Sequence, residues 1–147
     1  MNDILKSLKT AISNVMERMF FFLPDPEEEG DCRPVDGTAV SIGVSGTPGY
    51  RVTLTFDPVL AQGMVVNALG VEKPDKAIVE KCLLEAANII AGNFLHNWQD
   101  AKGRELTLPS FNPNDIHKGA KSSESQTVTL WFDFRGVSAT IETIPGS

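Results

Sequence analysis

A chain of 147 residues lies within the size of one domain, which at that length buries roughly 70% of its unfolded surface around a single core. Apolar residues make up 41% and charged residues 22%, and the longest apolar run, Met19 to Leu23, falls far short of the roughly 20 residues that cross a bilayer, which excludes a disordered chain and a membrane span. A formal net charge of -6 argues against a nucleic-acid backbone or an anionic membrane as partner, since either would repel the chain.

Ile4, Leu5, Leu8, Ile12, Val15, Met16, Met19 and Phe20 recur at three- and four-residue intervals, which predicts a helix with one buried stripe that stops before Pro24. Asp3, Lys6 and Lys9 lie within that pattern. With no separate apolar block and no small-residue cleavage site, the N-terminus lacks the form of a secretory signal, and a cytoplasmic location is expected. Residues 24 to 37 hold three prolines, two glycines and the acidic run Glu27-Glu28-Glu29, so they read as an exposed loop. Cys32 and Cys82 are too far apart for a C-x-x-C pair and read as reduced thiols, Cys82 within the core.

Val40, Ile42 and Val44 alternate with small or polar residues, as do Val52, Leu54 and Phe56 after the turn residues Ser45 to Gly49, and this predicts a β-hairpin with one wet face. Asp57-Pro58 supplies an N-cap and a proline at the first helical position, and Gly70 a left-handed stop, so a short second helix lies between them. Asp75 caps a third and longest helix. Its apolar face is drawn by Ile78, Val79, Cys82, Leu83, Ala86, Ile89 and Ile90, and it runs to about Asp100.

Residues 101 to 125 are mixed, with a possible short strand at Glu105 to Leu108 and loop chemistry around Pro109, Pro113 and Gly119. Val128, Leu130, Phe132 and Phe134 then alternate, Arg135-Gly136 turns the chain, and Val137, Ala139 and Ile141 return it as a final antiparallel hairpin. The order is α-β-β-α-α-β-β, with one further strand possible. Strands grouped in hairpins favour an α+β fold, helices packed on an antiparallel sheet, in a single domain over residues 1–147.

At 100° per residue, Lys81, Glu85, Asn88, Gly92, His96 and Gln99 fall in one narrow stripe, almost opposite Val79, Leu83, Ala86 and Ile90. An outward polar stripe is by default the wet side of an amphipathic helix. Gly92 sets this one apart, because a mid-helix glycine costs about 1 kcal/mol relative to alanine and removes a side chain where another surface could approach. Ala86, Ala87 and Ala91 keep the helix slim, which suits either projection of Glu85 and Asn88 into a partner or close packing within the chain.

The run Glu85-Ala86-Ala87-Asn88-Ile89-Ile90-Ala91-Gly92-Asn93 resembles the E-x-x-N helix of the CheC, CheX and FliY chemotaxis phosphatases, and Ser41 to Leu69 resembles the segment that precedes it in CheX-like domains. The motif occurs once in the chain, which is similar to CheX rather than to CheC with its two copies. Lys81 stands where the family often has Asp or Ser, and Pro109 and Pro113 flank the place of its downstream proline without matching it.

The resemblance implies a phosphatase that stimulates hydrolysis of the aspartyl phosphate on a CheY-like response-regulator receiver. Asn88 would orient the attacking water, and Glu85 would pair with the receiver's active-site lysine. Lys81, Gly92 and His96 would lie against the partner. Mg2+ is expected in the receiver's acidic pocket, with no cofactor bound by this chain, and the family's homodimers make a homodimer possible here. His96 and His117 have no partner at ligand spacing, so no metal site is read. Two rival readings stay open: a non-catalytic module of the same fold that docks on a receiver or motor component, and a self-contained hydrolase, for which no Ser-His-Asp set or glycine-rich phosphate loop is visible.

Overall fold

The computed structural model describes residues 2–26, 33–116 and 123–145. The acidic run Glu27 to Glu29, Cys32, His117 and Gly119 lie outside these residues. Helix α1 (Asn2–Phe20) buries Leu8, Ile12, Met16 and Phe20. It ends as Phe21 turns to the left-handed φ of 60° and the Phe22 N–H donates back to the Met16 carbonyl, closing the helix ahead of Pro24. Strands β1 (Thr38–Val44) and β2 (Gly49–Phe56) form the first hairpin.

Helix α2 (Pro58–Leu69) starts where the Asp57 carboxylate accepts from the Val59 and Leu60 N–H groups at 2.8 and 3.1 Å, and stops at Gly70 with φ 70°. Helix α3 (Lys76–Asn97) is capped by Asp75, which accepts from the Ile78 N–H at 2.9 Å. Both caps fall where the residue types placed them. The end of α3 does not: the α-helix closes at Asn97, and Gln99–Ala101 forms a separate 3-10 turn, because Trp98 takes an extended backbone and buries its ring.

Strands β3 (Glu124–Phe132) and β4 (Arg135–Ile144) complete a four-stranded antiparallel sheet in the order β1-β2-β4-β3. The register brings Val40, Leu54 and Ala139 into one row and Ile42, Val52 and Ile141 into the next. These rows make one apolar face, on which α1, α2 and α3 pack. On the opposite face Arg51 and Glu142 pair across β2 and β4 through two hydrogen bonds of 2.9 and 2.7 Å, and Ser41 bonds Thr53, and Thr127 bonds Thr140.

Two details of the strands differ from the sequence expectation. The turn of the last hairpin is Asp133-Phe134, both at positive φ, so Phe134 leaves the strand and stands 76% exposed. Its amide and that of Asp133 donate to the carboxylate of Asp25, a tie from a distant loop that decides where the chain reverses. The segment at 105–110 is not a fifth strand but lies along the free edge of β1 through two isolated bridges, Ser41 with Ser110 and Val44 with Leu106. There Thr107 donates its N–H to the Gly43 carbonyl and accepts the Gly43 N–H on its hydroxyl.

Candidate functional site

Helix α3 is positioned from both ends. At its C-terminal end Phe94 and Trp98 stack at 5.4 Å, Tyr50 meets Trp98 edge-on, and the Arg104 guanidinium lies 5.0 Å from the Trp98 ring and 5.1 Å from that of Tyr50. Arg104 also donates to the Ser45 and Pro48 carbonyls, which locks the β1–β2 turn to the end of α3. Gly46 suits this turn because its φ of 131° is one that side chains rarely adopt, and a Cβ there would also press on that guanidinium. Along its length α3 buries Cys82, Leu83, Ala86, Ala87, Ile90, Ala91 and Phe94. The three alanines therefore serve close packing inside the chain rather than a slim outward profile.

The opposite side of α3 is open. Lys81, Glu85, Asn88, Gly92 and His96 are all exposed, as the stripe predicted, and a Cβ added at Gly92 would meet nothing within 4 Å. Glu85 and Asn88 are one turn apart, so their Cβ atoms lie roughly 5–6 Å from one another on the same face. Neither side chain makes a hydrogen bond or ion pair among the described residues. A carboxylate and a carboxamide thus stand free, side by side, on a helix fixed at both ends.

Chemically this offers one anionic acceptor and, beside it, one neutral group that both donates and accepts. No hydroxyl or thiol stands on their stripe from Lys81 to His96. Burial, and after it the negative charge of Glu85, pushes the Cys82 thiol above its ordinary range, so it stays protonated and inside the core. Among the described residues no group of three or more His, Cys, Asp and Glu side chains could hold a metal ion. A polar cleft of about 300 Å3 lies at the other end of the helix pair, where Asp3, Lys6, Ser7 and Thr10 of α1 meet Asn97 and Gln99, and it contains none of the stripe residues from Lys81 to His96. The start of α1 beside the end of α3 makes the two helices antiparallel neighbours.

One residue of this surface was assigned elsewhere from sequence. Ile89, placed with the apolar face, is 39% exposed and stands next to Asn88 on the open side. It lies about 40° round the helix from Glu85, at the margin that a wheel cannot assign without knowing how far α1 and the sheet reach. No helix among the described residues is long and apolar enough to cross a membrane.

Residues 38–133 match the model of a family described as chemotaxis phosphatase CheX. Among solved structures, the fold is similar to the CheX-CheY-BeF3-Mg2+ complex from Borrelia burgdorferi, at 23% identity and a TM-score of 0.73, over 95% of this chain and 96% of that one. CheX from Vibrio vulnificus aligns at 17% identity with a TM-score of 0.74, over 95% of both chains. A CheX from Desulfovibrio desulfuricans aligns at 17% identity and a TM-score of 0.74, over 95% of this chain and 98% of that one. No curated protein matches the sequence.

Proposed function

The chain belongs to the CheX family of chemotaxis phosphatases, and from that premise we propose that α3 enters the phosphorylated pocket of a CheY-like receiver domain and hastens loss of its aspartyl phosphate. The observation that carries the reading is the free pair on α3: Glu85 and Asn88 exposed on one face, unpaired among the described residues, with bare Gly92 one turn further on. A neighbour's surface can come close to that face without displacing any of this chain's own contacts.

In the reaction a water oxygen attacks phosphorus in line with its bond to the receiver's aspartate. The P–O bond breaks, its electron pair returns to the carboxylate, and inorganic phosphate leaves with the protons of the water. Such a transfer needs position and charge neutralisation more than a strong base. The Asn88 amide accepts a hydrogen bond from the water and aims its lone pair at phosphorus, while carrying no charge that the phosphoryl oxygens would repel. Glu85 pairs with a lysine of the receiver's pocket and so sets the depth at which Asn88 enters. Mg2+ belongs to the receiver's acidic pocket in this reading, as the solved relative's complex with CheY, BeF3 and Mg2+ suggests.

Lys81 and His96 flank the pair on the same stripe and meet the rim of the receiver. The whole chain acts as one cytoplasmic domain. Among the described residues β4 is the one strand that pairs with β3; the Asp25 N–H takes the Trp131 carbonyl near the end of its outer edge, and the rest of that edge is where a second copy would add a strand to form a homodimer. A non-catalytic receiver- or motor-binding role is the second reading, favoured by Lys81. That cation, one turn before Glu85, competes with the receiver's lysine for the carboxylate.

The test adds a small amount of the chain to a phosphorylated CheY receiver and follows phosphate release against the receiver's intrinsic decay. Many turnovers per molecule are expected, with Glu85→Gln raising the KM for the receiver roughly tenfold through loss of a charge-assisted bond. Tight binding with no acceleration would instead establish the non-catalytic role.

A further inference from the structure

We propose that Ile89 is the apolar docking contact that sets this chain's affinity for its receiver, seating on an aliphatic patch beside the phosphorylated pocket; the inference rests on the phosphatase reading above and names one more residue for it. In the span from Glu85 to His96, the outward stripe otherwise offers a carboxylate, a carboxamide, a bare glycine and an imidazole, and Ile89 is the aliphatic side chain exposed among them, at 39%. Helical side chains lean toward the N-terminus, so the Ile89 methyls cover the turn that carries Glu85 and leave the surface over Gly92 open. The result is a step: an aliphatic shoulder beside Glu85, then a flat place one turn later where a Cβ would touch nothing within 4 Å.

The physical need for such a shoulder follows from the pair it borders. A carboxylate–ammonium pair left in water contributes little, about 0–1 kcal/mol, and is screened by salt. Ringed by apolar contact and cut off from bulk water, the same pair binds and orients far better. Ile89 is placed to close the side of Glu85 that Lys81 and Asn88 leave open. A receiver with an aliphatic residue facing this position would be accepted, and one with a charge there rejected, since burying that charge against Ile89 finds no partner.

The experiment measures binding and turnover separately, with Ile89→Ser, Ile89→Val, Asn88→Ala and the unaltered chain. The probes are Borrelia burgdorferi CheY and a panel of other CheY receivers, loaded with BeF3 and Mg2+ for binding and phosphorylated for turnover. Ile89→Ser should weaken binding and raise KM about tenfold, with maximal rate changing less than KM, and should steepen the dependence of KM on salt; Ile89→Val should restore most of the loss. Unchanged melting temperatures for both variants are part of the expected result, because the side chain leaves the core intact.

Ile89→Ser that binds within twofold of the unaltered chain, at low and high salt, overturns the inference. Asn88→Ala then decides the rest: if it abolishes turnover, the phosphatase reading stands without Ile89. If Asn88→Ala turns over normally while Ile89→Ser binds poorly, the docking role stands and the assigned chemistry falls. No binding to any receiver of the panel overturns both.

Discussion

Replacing Gly92 with alanine separates the stability of α3 from its use. Gly92 lies inside Lys76–Asn97, exposed, and a Cβ there meets no heavy atom within 4 Å. Alanine at such a position regains the helical propensity that glycine gives up, about 1 kcal/mol, with no clash to set against it. For a domain of 147 residues that gain should raise the melting temperature by roughly 2–4 °C, read by calorimetry or circular dichroism. The same methyl would stand on the face proposed to meet the receiver, where a close approach would leave no room for it. Overpacking of that kind costs about 1–3 kcal/mol, which is at least a fivefold rise in KM for phosphorylated receiver. The stabler protein should therefore be the poorer phosphatase. A variant that melts higher and turns over with unchanged KM would remove Gly92 from the docking face. One that gains no stability would contradict the exposed helical setting itself.

The remaining expectations concern charge and the buried thiol. In the proposed docking, Lys81→Ala would remove a cation near the receiver's lysine, and at about 8 Å in water that repulsion is near 0.5 kcal/mol, so kcat/KM should roughly double at low salt and the gain should vanish near 1 M salt; a fall in kcat/KM would show that Lys81 aids docking. The Cys82 thiol is raised first by burial and then by Glu85, so its contribution to stability is full below the ordinary thiol range and is lost as pH rises through the higher folded value. In a Cys32→Ser background, alkylation of the native chain at pH 8 should be far slower than of the denatured chain, and Glu85→Gln should shift its onset to lower pH. Equal labelling of the native and denatured chains would refute the burial of Cys82.

Features fixed within a few residues were legible in the sequence. Asp57 and Asp75 cap their helices through carboxylate bonds to amides two or three residues on, and Gly70 takes the left-handed φ that its position required. The open stripe from Lys81 to His96 followed from helical period alone, since nothing in the fold overrode it. What the sequence hid depends on distant partners. The alternation Val128 to Phe134 has no break to mark the turn at Asp133, which is selected by Asp25 from 108 residues away. Residues 105–110 carry little strand pattern, yet they guard the β1 edge because Thr107 supplies both an amide and a hydroxyl to Gly43. Arg104 reads as one more surface cation until Tyr50, Trp98 and the Ser45–Pro48 turn converge on it. The same holds for Ile89 and the alanines of α3: a helical wheel orders the faces but does not say where the packing stops.

Single-turnover decay of a phosphorylated CheY receiver under saturating chain, unaltered against Asn88→Ala, tests the central claim most directly. The Asn88 amide, if it orients the water as proposed, should account for about a hundredfold of the maximal rate, lost in the variant while the affinity for BeF3-loaded receiver stays the same. Decay as fast with alanine as with asparagine would mean that the water is held by some other group, and that the free carboxamide on α3 has no part in the chemistry.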